Sequence, residues 1–312
     1  MKAFIFDPLW YKLVDKTIKK TLEDSGLTFT VISDIKPLSE TPELFEGTED
    51  RILCLNPDYV SWSLKNDDYR DIPNLKAIMT ASTGFEWIQQ EVASERDIAI
   101  CNIKDFSTQA VAEWAILMMS NLARQTPRLI KDDFPLDYDE DFLKYRGLQL
   151  KGKTAGIIGL GNIGSAIAKI CQGYGMDVIY WSRSSVNNDY KKVSLDELMS
   201  SSDVVIPAVA KNKETLTLIT ADHIKSMKVI AILVDIAHGL FNEELVLARV
   251  REGKLFGYGF ESKPGAFRTY EGNIWAAPPY AWTTYESMYN SEIKLVENIV
   301  EAAKGAFPNK VN

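Results

Sequence analysis

Histidine is scarce in this chain of 312 residues, which contains only His223 and His238. Cysteine is scarce as well, with Cys54, Cys101 and Cys171 at widely separated positions. An odd number of cysteines with this spacing argues against a disulfide framework and against a zinc site, and it favours reduced, partly buried thiols. Any chemistry that needs an imidazole therefore has two candidate residues.

The chain also lacks a surplus of positive charge and a long apolar run. Its formal net charge is −8, with 46% hydrophobic and 25% charged residues, a composition that is ordinary for a globular protein. A negatively charged surface repels nucleic acid, so we expect no nucleic-acid partner. No apolar run reaches the roughly 18 residues of a membrane span, and residues 1–9 do not resemble a signal peptide. We therefore expect a cytoplasmic protein without a membrane partner.

Short apolar segments alternate with helical patterns along the chain. The patterns predict strands over 2–7, 28–33, 51–56, 75–80, 98–102, 154–159, 177–181, 203–206, 230–235, 255–260 and 273–277. They predict helices over 11–25, 108–124, 164–174, 243–252 and 286–305. This alternation is typical of an α/β fold with parallel sheets covered on both faces, and the length suits two domains.

A glycine-rich turn follows the strand predicted over 154–159 and opens the next helix. Its sequence is Gly159-Leu-Gly161-Asn162-Ile163-Gly164. In this context the first glycine permits the tight turn, the second lets the backbone approach a pyrophosphate, and the third lets the helix pack close to the strand. The pattern predicts a dinucleotide site with the phosphates at the helix N terminus. A strand–helix turn without a ligand is the alternative.

The residues that read the cofactor's ribose are expected about 20 positions further on. An enzyme specific for NAD usually has an acidic residue there, whereas this chain has Ser182-Arg183-Ser184. A carboxylate would repel a 2′-phosphate, while a guanidinium pairs with it. We predict a preference for NADP(H), with NAD(H) as the second cofactor. In the alternative interpretation, Arg183 is a surface residue that stacks on adenine.

Further motifs resemble the D-2-hydroxyacid dehydrogenase family, and the stretch before Arg183 looks most like its glyoxylate/hydroxypyruvate reductase branch. These motifs are Val111-Ala-Glu-Trp114, Gly152-Lys-Thr154, Ala231-Ile-Leu-Val-Asp-Ile-Ala-His-Gly239 and Ala277-Pro-Pro-Tyr-Ala-Trp-Thr283. The resemblance covers nearly the whole chain. It implies two Rossmann-like domains, one flavodoxin-like and one dinucleotide-binding, with a cleft between them. The substrate-side domain would comprise residues 1–101 and 284–312, and the dinucleotide-binding domain residues 102–283.

The resemblance also implies binding residues outside the glycine turn. The substrate-side turn is Ser82-Thr83-Gly84, and Glu261 takes the place of an aspartate near the nicotinamide amide. We assign four more residues to cofactor binding: Ala208, Val209, Ile236 and Ala237. The helix over 108–124 is apolar on most sides, which together with the resemblance predicts a twofold homodimer built around it.

The catalytic residues of the family are replaced in this chain. The arginine that binds the substrate carboxylate falls on His238, and the catalytic histidine falls on Pro279. No acid stands at the expected offset beyond Glu261. A histidine near its unperturbed pKa is mostly neutral at pH 7 and is a poor substitute for a bidentate arginine. His238 and Tyr280 remain as candidate proton donors; Tyr258 and Tyr285 are nearby in sequence, and packing is the alternative role for each tyrosine.

Two functions remain open at this point. In the first, the protein is an NADP(H)-dependent oxidoreductase that reduces a small-molecule carbonyl, either like a 2-keto acid or less polar. In the second, it is a catalytically inactive dinucleotide-binding protein that senses redox state or interacts with a partner. The retained Ser82-Thr83-Gly84 turn favours the first function, which we prefer, and the replaced catalytic residues favour the second.

Overall fold

The computed structural model describes residues 1–137, 139–212 and 214–312. The chain divides into two compact units, each built on a parallel sheet. Unit 1 comprises Met1–Ser107 and Thr284–Asn312, and unit 2 comprises Thr108–Thr283. We expected residues 102–107 in the dinucleotide-binding domain. They lie in unit 1 instead, where the N–H of Ile103 donates to the carbonyl of Ser82 at 3.1 Å.

Unit 1 has a five-stranded parallel sheet in the order β2-β1-β3-β4-β5, which is the flavodoxin-like order. Its strands are nearly continuous apolar runs, as expected for parallel strands covered on both faces. They are β1 (Lys2–Phe6), β2 (Thr28–Ile32), β3 (Arg51–Leu55), β4 (Leu75–Thr80) and β5 (Ala99–Cys101). The helices are α1 (Trp10–Leu13), α2 (Lys16–Asp24), α3 (Pro42–Phe45), α4 (Asn66–Tyr69), α5 (Glu91–Glu95) and α13 (Tyr285–Ala303).

The helix predicted over 11–25 is two helices, so that prediction was wrong at its centre. Asp15 separates α1 from α2 because its carboxylate accepts the N–H groups of Thr17 at 2.8 Å and Ile18 at 2.9 Å. An aspartate that caps a new helix in this way adopts an extended backbone and cannot continue the preceding helix. The apolar periodicity continues across Asp15, so the sequence pattern alone did not indicate that a new helix begins there.

Residues 284–312 complete unit 1 from the far end of the chain. Helix α13 buries Leu295, Val296 and Ile299 against one face of the sheet. Beyond this helix, the side chain of Asn312 accepts the N–H of Ile100 at 2.8 Å and donates to the carbonyl of Ile98 at 2.9 Å. This segment therefore both covers the sheet and satisfies the backbone at its edge strand, β5.

Unit 2 has a seven-stranded parallel sheet in the order β12-β11-β10-β9-β6-β7-β8. The order reverses between β6 and β9, as in dinucleotide-binding folds, which bind their ligand at this switch point. The strands are β6 (Thr154–Ile158), β7 (Asp177–Trp181), β8 (Lys191–Lys192), β9 (Val204–Pro207), β10 (Ile232–Asp235), β11 (Gly257–Glu261) and β12 (Ile274–Ala277). The helices are α6 (Thr108–Ala123), α7 (Thr126–Lys131), α8 (Glu140–Lys144), α9 (Asn162–Gly173), α10 (Leu195–Ser201), α11 (Ala221–Ser226) and α12 (Glu243–Arg251).

Much of the apolar surface of α6 is covered within unit 2. Ala112, Met118 and Leu122 are buried, and the helix packs against α9, β10 and β11. Leu117 is exposed on the same helix. The apolar composition of residues 108–124 therefore reflects packing inside the unit to a large extent, and the homodimer stays a prediction.

Among the described helices, none has the length and apolar character needed to cross a bilayer.

The three cysteines are buried free thiols, and burial raises the pKa of Cys101 to about 11 and that of Cys171 to about 12. Thiols with such pKa values carry little thiolate at neutral pH and are unreactive.

Candidate active site and cofactor pocket

The glycine turn joins β6 to α9 at the switch point of the sheet in unit 2. Gly159 has a φ of +94°, in the left-handed region, and a Cβ on it would lie 2.5 Å from Cγ1 of Val209. A Cβ on Gly164 would lie 2.0 Å from the carbonyl oxygen of Gly159. The folded chain itself therefore requires glycine at both positions.

Gly161 differs from its two neighbours in the motif. A Cβ on Gly161 would meet no described atom within 4 Å, and its φ of −81° is ordinary for any residue. Packing and backbone conformation therefore leave the absence of its side chain unexplained, whereas a ligand that lies against the backbone here would explain it. Gly161 is the N-cap of α9, and among the described residues no side chain caps that helix. The first turn, with Asn162 and Ile163, thus fits an anionic group such as a diphosphate.

A pocket of about 460 Å³ opens beside this turn. It is lined by seven of the predicted cofactor residues: Gly159, Gly161, Ser182, Arg183, Ser184, Ala208 and Val209. It is also lined by residues that the sequence did not indicate: Leu160, Trp181, Ala210, Asn212, Glu214, Thr215 and Leu218. Most of these follow β9, the strand beside β6, so the switch-point rule applied to β9 would have located them.

An ion pair lies at the end of this pocket where the sequence predicts the ribose. Arg183 contacts Glu214, and both side chains are about two-thirds exposed. Ser182 is buried, and its hydroxyl accepts the N–H of Ser185 at 3.1 Å. The chain thus has a carboxylate near the predicted 2′-phosphate site after all, although it comes from the loop after β9 and not from the end of β7.

A second group of side chains lies where β10 and β11 end. The buried Asp235 accepts the N–H groups of Ala237 and His238, each at 3.0 Å, through one carboxylate oxygen. His238 has a φ of +55°, a left-handed conformation that histidine adopts more readily than most residues do. The two hydrogen bonds to Asp235 stabilise this turn. Ile236 directly follows β10, between Asp235 and Ala237 in the sequence. Ile236 and Ala237, which we assigned to cofactor binding, therefore belong to the turn that positions His238.

His238 and Glu261 form a pair that spacing along the sequence did not predict. Nε2 of His238 lies 3.1 Å from Oε2 of Glu261, and Oε1 of Glu261 accepts the N–H of Ala281 at 3.0 Å. The hydrogen bond to Glu261 raises the pKa of His238 above its ordinary value of 6.5, and the charge of Asp235 adds to the effect. Our expectation used the unperturbed pKa of an unpaired histidine, and the partner Glu261 corrects that pKa upward.

The tyrosine candidates differ in their surroundings. Tyr258 is fully buried and stacks on Phe260 with ring centroids 4.6 Å apart, and burial raises its pKa far above the ordinary value. Tyr285 is 94% exposed and belongs to unit 1. Packing therefore accounts for Tyr258. Tyr280 is exposed, and the residue after it, Ala281, binds Glu261 through its N–H.

His223 and Glu271 lie elsewhere. His223 is in the first turn of α11, where its ring accepts the N–H of Thr220 and contacts Asp196. Glu271 lines a different pocket, together with Arg251 and Tyr270. The described residues contain no group of three or more His, Cys, Asp or Glu side chains placed to hold a metal ion.

The predicted substrate turn, Ser82-Thr83-Gly84, follows β4 in unit 1. The hydroxyl of Ser82 donates to the carbonyl of Gly84 at 2.7 Å, and that of Thr83 donates to the carbonyl of Ile103 at 3.0 Å. Both hydroxyl protons are thus used inside the unit.

Comparison with known proteins agrees with this architecture. Residues 116–278 match the family described as "D-isomer specific 2-hydroxyacid dehydrogenase, NAD binding domain". A glyoxylate reductase of Pyrococcus furiosus is 29% identical over a region that covers 80% of this chain and 79% of the relative. A glyoxylate reductase of Thermococcus onnurineus is 31% identical and covers 76% of this chain and 75% of the relative.

A solved structure extends the likeness to the whole fold. An acyclic imino acid reductase in complex with NADPH and D-Arg superimposes with a TM-score of 0.81 at 22% identity, over all of both chains. The fold, the glycine turn and the pocket at the switch point agree with the matched family. The chain therefore belongs to the D-2-hydroxyacid dehydrogenase family, and its cofactor is a nicotinamide dinucleotide.

Proposed function

We propose that this protein is an NADPH-dependent reductase that converts the carbonyl group of a 2-oxo acid or related small molecule into a hydroxyl. In this proposal His238 donates the proton. The observation that supports it is the hydrogen bond between His238 and Glu261. A histidine backed by a glutamate is a common arrangement for a general acid. Two relatives of this chain are named as glyoxylate reductases, and glyoxylate is a 2-oxo acid.

Glu261 acts on His238 in two ways in this proposal. It accepts the N–H of Nε2 and so fixes the orientation of the ring, and its charge stabilises the imidazolium. Nδ1 is then the nitrogen that delivers a proton. The side chain of His238 is 47% exposed, so water can return the proton after each turnover.

The remaining chemistry follows from this assignment. When bound, NADPH supplies the hydride that the carbonyl carbon receives. His238 transfers a proton to the carbonyl oxygen, which becomes the hydroxyl of the product. His238 is left neutral, with Glu261 still hydrogen-bonded, until it takes up a proton from solvent.

The pH dependence of Glu261→Gln tests this assignment. Because the pKa of His238 is raised, the imidazolium form persists to higher pH than it would in an unpaired histidine. Reduction of glyoxylate with NADPH should be constant at lower pH and fall as the pH rises through the raised pKa of His238. Glu261→Gln removes the charge that raises this pKa, so the falling limb of kcat should move to lower pH.

Glu271→Gln is the matched control, since Glu271 lies in a different pocket. It should leave the pH profile unchanged. A Glu261→Gln profile that coincides with that of the wild-type protein would show that His238 is not the titrating group.

The choice of cofactor is tested by direct binding. We propose that Arg183 binds the 2′-phosphate, so NADPH should bind about tenfold more tightly than NADH, a difference of roughly 1.4 kcal/mol. Arg183→Ala should remove the preference and change NADH binding little. Glu214→Gln should increase it, because Glu214 neutralises Arg183. Protein fluorescence titrations measure the affinities of all three proteins for NADPH and for NADH, and equal binding of the two cofactors to the wild-type protein would refute this proposal.

A catalytically inactive protein is the second candidate, favoured by Pro279 at the place of the family's histidine. The two functions are separated by a substrate panel of 2-oxo acids and imines with NADPH. Imines belong in the panel because the solved structure of similar fold is an imino acid reductase, and because His238 could protonate a nitrogen as it could an oxygen. NADPH binding without oxidation by any member of the panel would favour the inactive protein.

A further inference from the structure

A lysine that the sequence did not single out lies beside the His238–Glu261 pair. Lys211 belongs to the loop after β9 in unit 2. Its side chain reaches the turn that carries His238, because a Cβ on Gly239 would lie 3.2 Å from Nζ of Lys211 and 3.6 Å from Cε. The ammonium group also acts on the imidazole, since its charge lowers the pKa of His238 against the larger effect of Glu261. Lys211 thus lies beside the turn that carries His238, close enough for its charge to act on the imidazole.

The carboxylates of this site do not neutralise Lys211. Glu261 uses one oxygen for His238 and the other for the N–H of Ala281. Asp235 is buried and accepts two backbone N–H groups. Glu243, at the start of α12, is partly desolvated, which raises its pKa. Across the part of the chain that the structure describes, no carboxylate lies within ion-pair distance of Lys211.

We propose that Lys211 binds the carboxylate of the substrate, and that it supplies the positive charge that the family resemblance places at position 238. The inference rests on the proposed function and makes it more specific, since it selects anionic 2-oxo acids over neutral carbonyl compounds. A carboxylate held by Lys211 would place the adjacent carbonyl group next to His238. Lysine is a flexible point charge, whereas arginine binds a carboxylate through two fixed donors. In this proposal Lys211 therefore selects substrates by their negative charge and constrains their shape only weakly.

Oxalate tests this inference without requiring turnover, because it carries carboxylates but is not reduced as a 2-oxo acid would be. We expect oxalate to bind the NADPH-loaded wild-type protein in a fluorescence titration. Lys211→Met, which keeps the length of the side chain and removes its charge, should weaken oxalate binding about tenfold, or roughly 1.4 kcal/mol. Lys211→Arg should retain most of the affinity. Lys225→Met, in the exposed part of α11, is the matched control and should bind oxalate as the wild-type protein does.

The outcomes separate this inference from the proposed function. Undiminished oxalate binding by Lys211→Met would overturn the inference, as would a wild-type protein that binds NADPH but no oxalate. An equal loss of NADPH and oxalate affinity would also overturn it, because Lys211 would then act on the cofactor. The protein could also bind oxalate in a manner that depends on Lys211 and yet reduce none of the 2-oxo acids tested. That result would support the inference and contradict the proposed function.

Discussion

His238→Ala is expected to lower kcat for NADPH-dependent reduction of glyoxylate by about 10²–10⁴-fold, the usual cost of removing a general acid. The affinity for NADPH should change little, because His238 lies outside the pocket at the glycine turn. The falling limb of the pH profile should disappear as well. A purely structural role for His238 would lower the thermal stability and the activity together and would leave the shape of the pH profile intact.

Tyr280→Phe is the comparison that separates the two candidate donors. Tyr280 is exposed and follows Pro279, so its phenol is the other group near the place of the family's histidine. If His238 is the donor, Tyr280→Phe should retain nearly full activity. Loss of activity in Tyr280→Phe together with an active His238→Ala would assign the proton to Tyr280 and refute the role of the His238–Glu261 pair.

Gly161→Val should abolish most cofactor binding while the protein remains folded. The φ of Gly161 is compatible with a side chain, and a Cβ there would meet no described atom within 4 Å, so folding has no reason to fail. The valine would occupy the space that we assign to the diphosphate. Loss of one or two charge-assisted hydrogen bonds, each worth about 1.5–3 kcal/mol, corresponds to a decrease in NADPH affinity of between about 10-fold and about 10⁴-fold.

Gly173→Ala provides the control for this variant. Gly173 is the last residue of the same helix, α9, and a Cβ on it also meets no described atom within 4 Å. Alanine should stabilise this position slightly, by up to about 1 kcal/mol, and leave NADPH binding unchanged. Circular dichroism verifies folding, and fluorescence titration measures affinity. A folded Gly161→Val protein that binds NADPH normally would show that the diphosphate lies elsewhere.

The parts of the fold that could be predicted from the sequence are those determined by local patterns. Parallel strands buried on both faces are apolar runs, so both sheets were evident from runs such as Arg51–Leu55 and Ile232–Asp235. The glycine turn was also evident, because its spacing follows from the geometry of one strand and one helix. Helix breaks such as the one at Asp15 were missed, since a cap changes the backbone without interrupting the apolar period.

The contacts of the candidate site could not be predicted in the same way. His238 and Glu261 are 23 positions apart, and their pairing depends on the register of β10 beside β11. Arg183 and Glu214 are 31 positions apart and meet through the loop after β9. Residue type alone gave no sign of the partner that raises the pKa of His238, or of a carboxylate beside Arg183. Both partners come from segments distant in the sequence: the end of β11 for Glu261 and the loop after β9 for Glu214.

The arrangement of unit 1 along the chain has a consequence for the order of synthesis on the ribosome. Unit 2 is one continuous segment, Thr108–Thr283, so all of its strands have emerged before synthesis reaches α13. One face of the unit 1 sheet stays partly uncovered until then, because Leu295, Val296 and Ile299 pack on it beside Ile18 and Leu22 of α2. The backbone at β5 also lacks its pairing with Asn312 until then. Domains usually fold as units during synthesis. The nascent chain therefore exposes the part of this apolar face that α13 later covers for as long as it takes to make all of unit 2, and a chaperone could bind to that part.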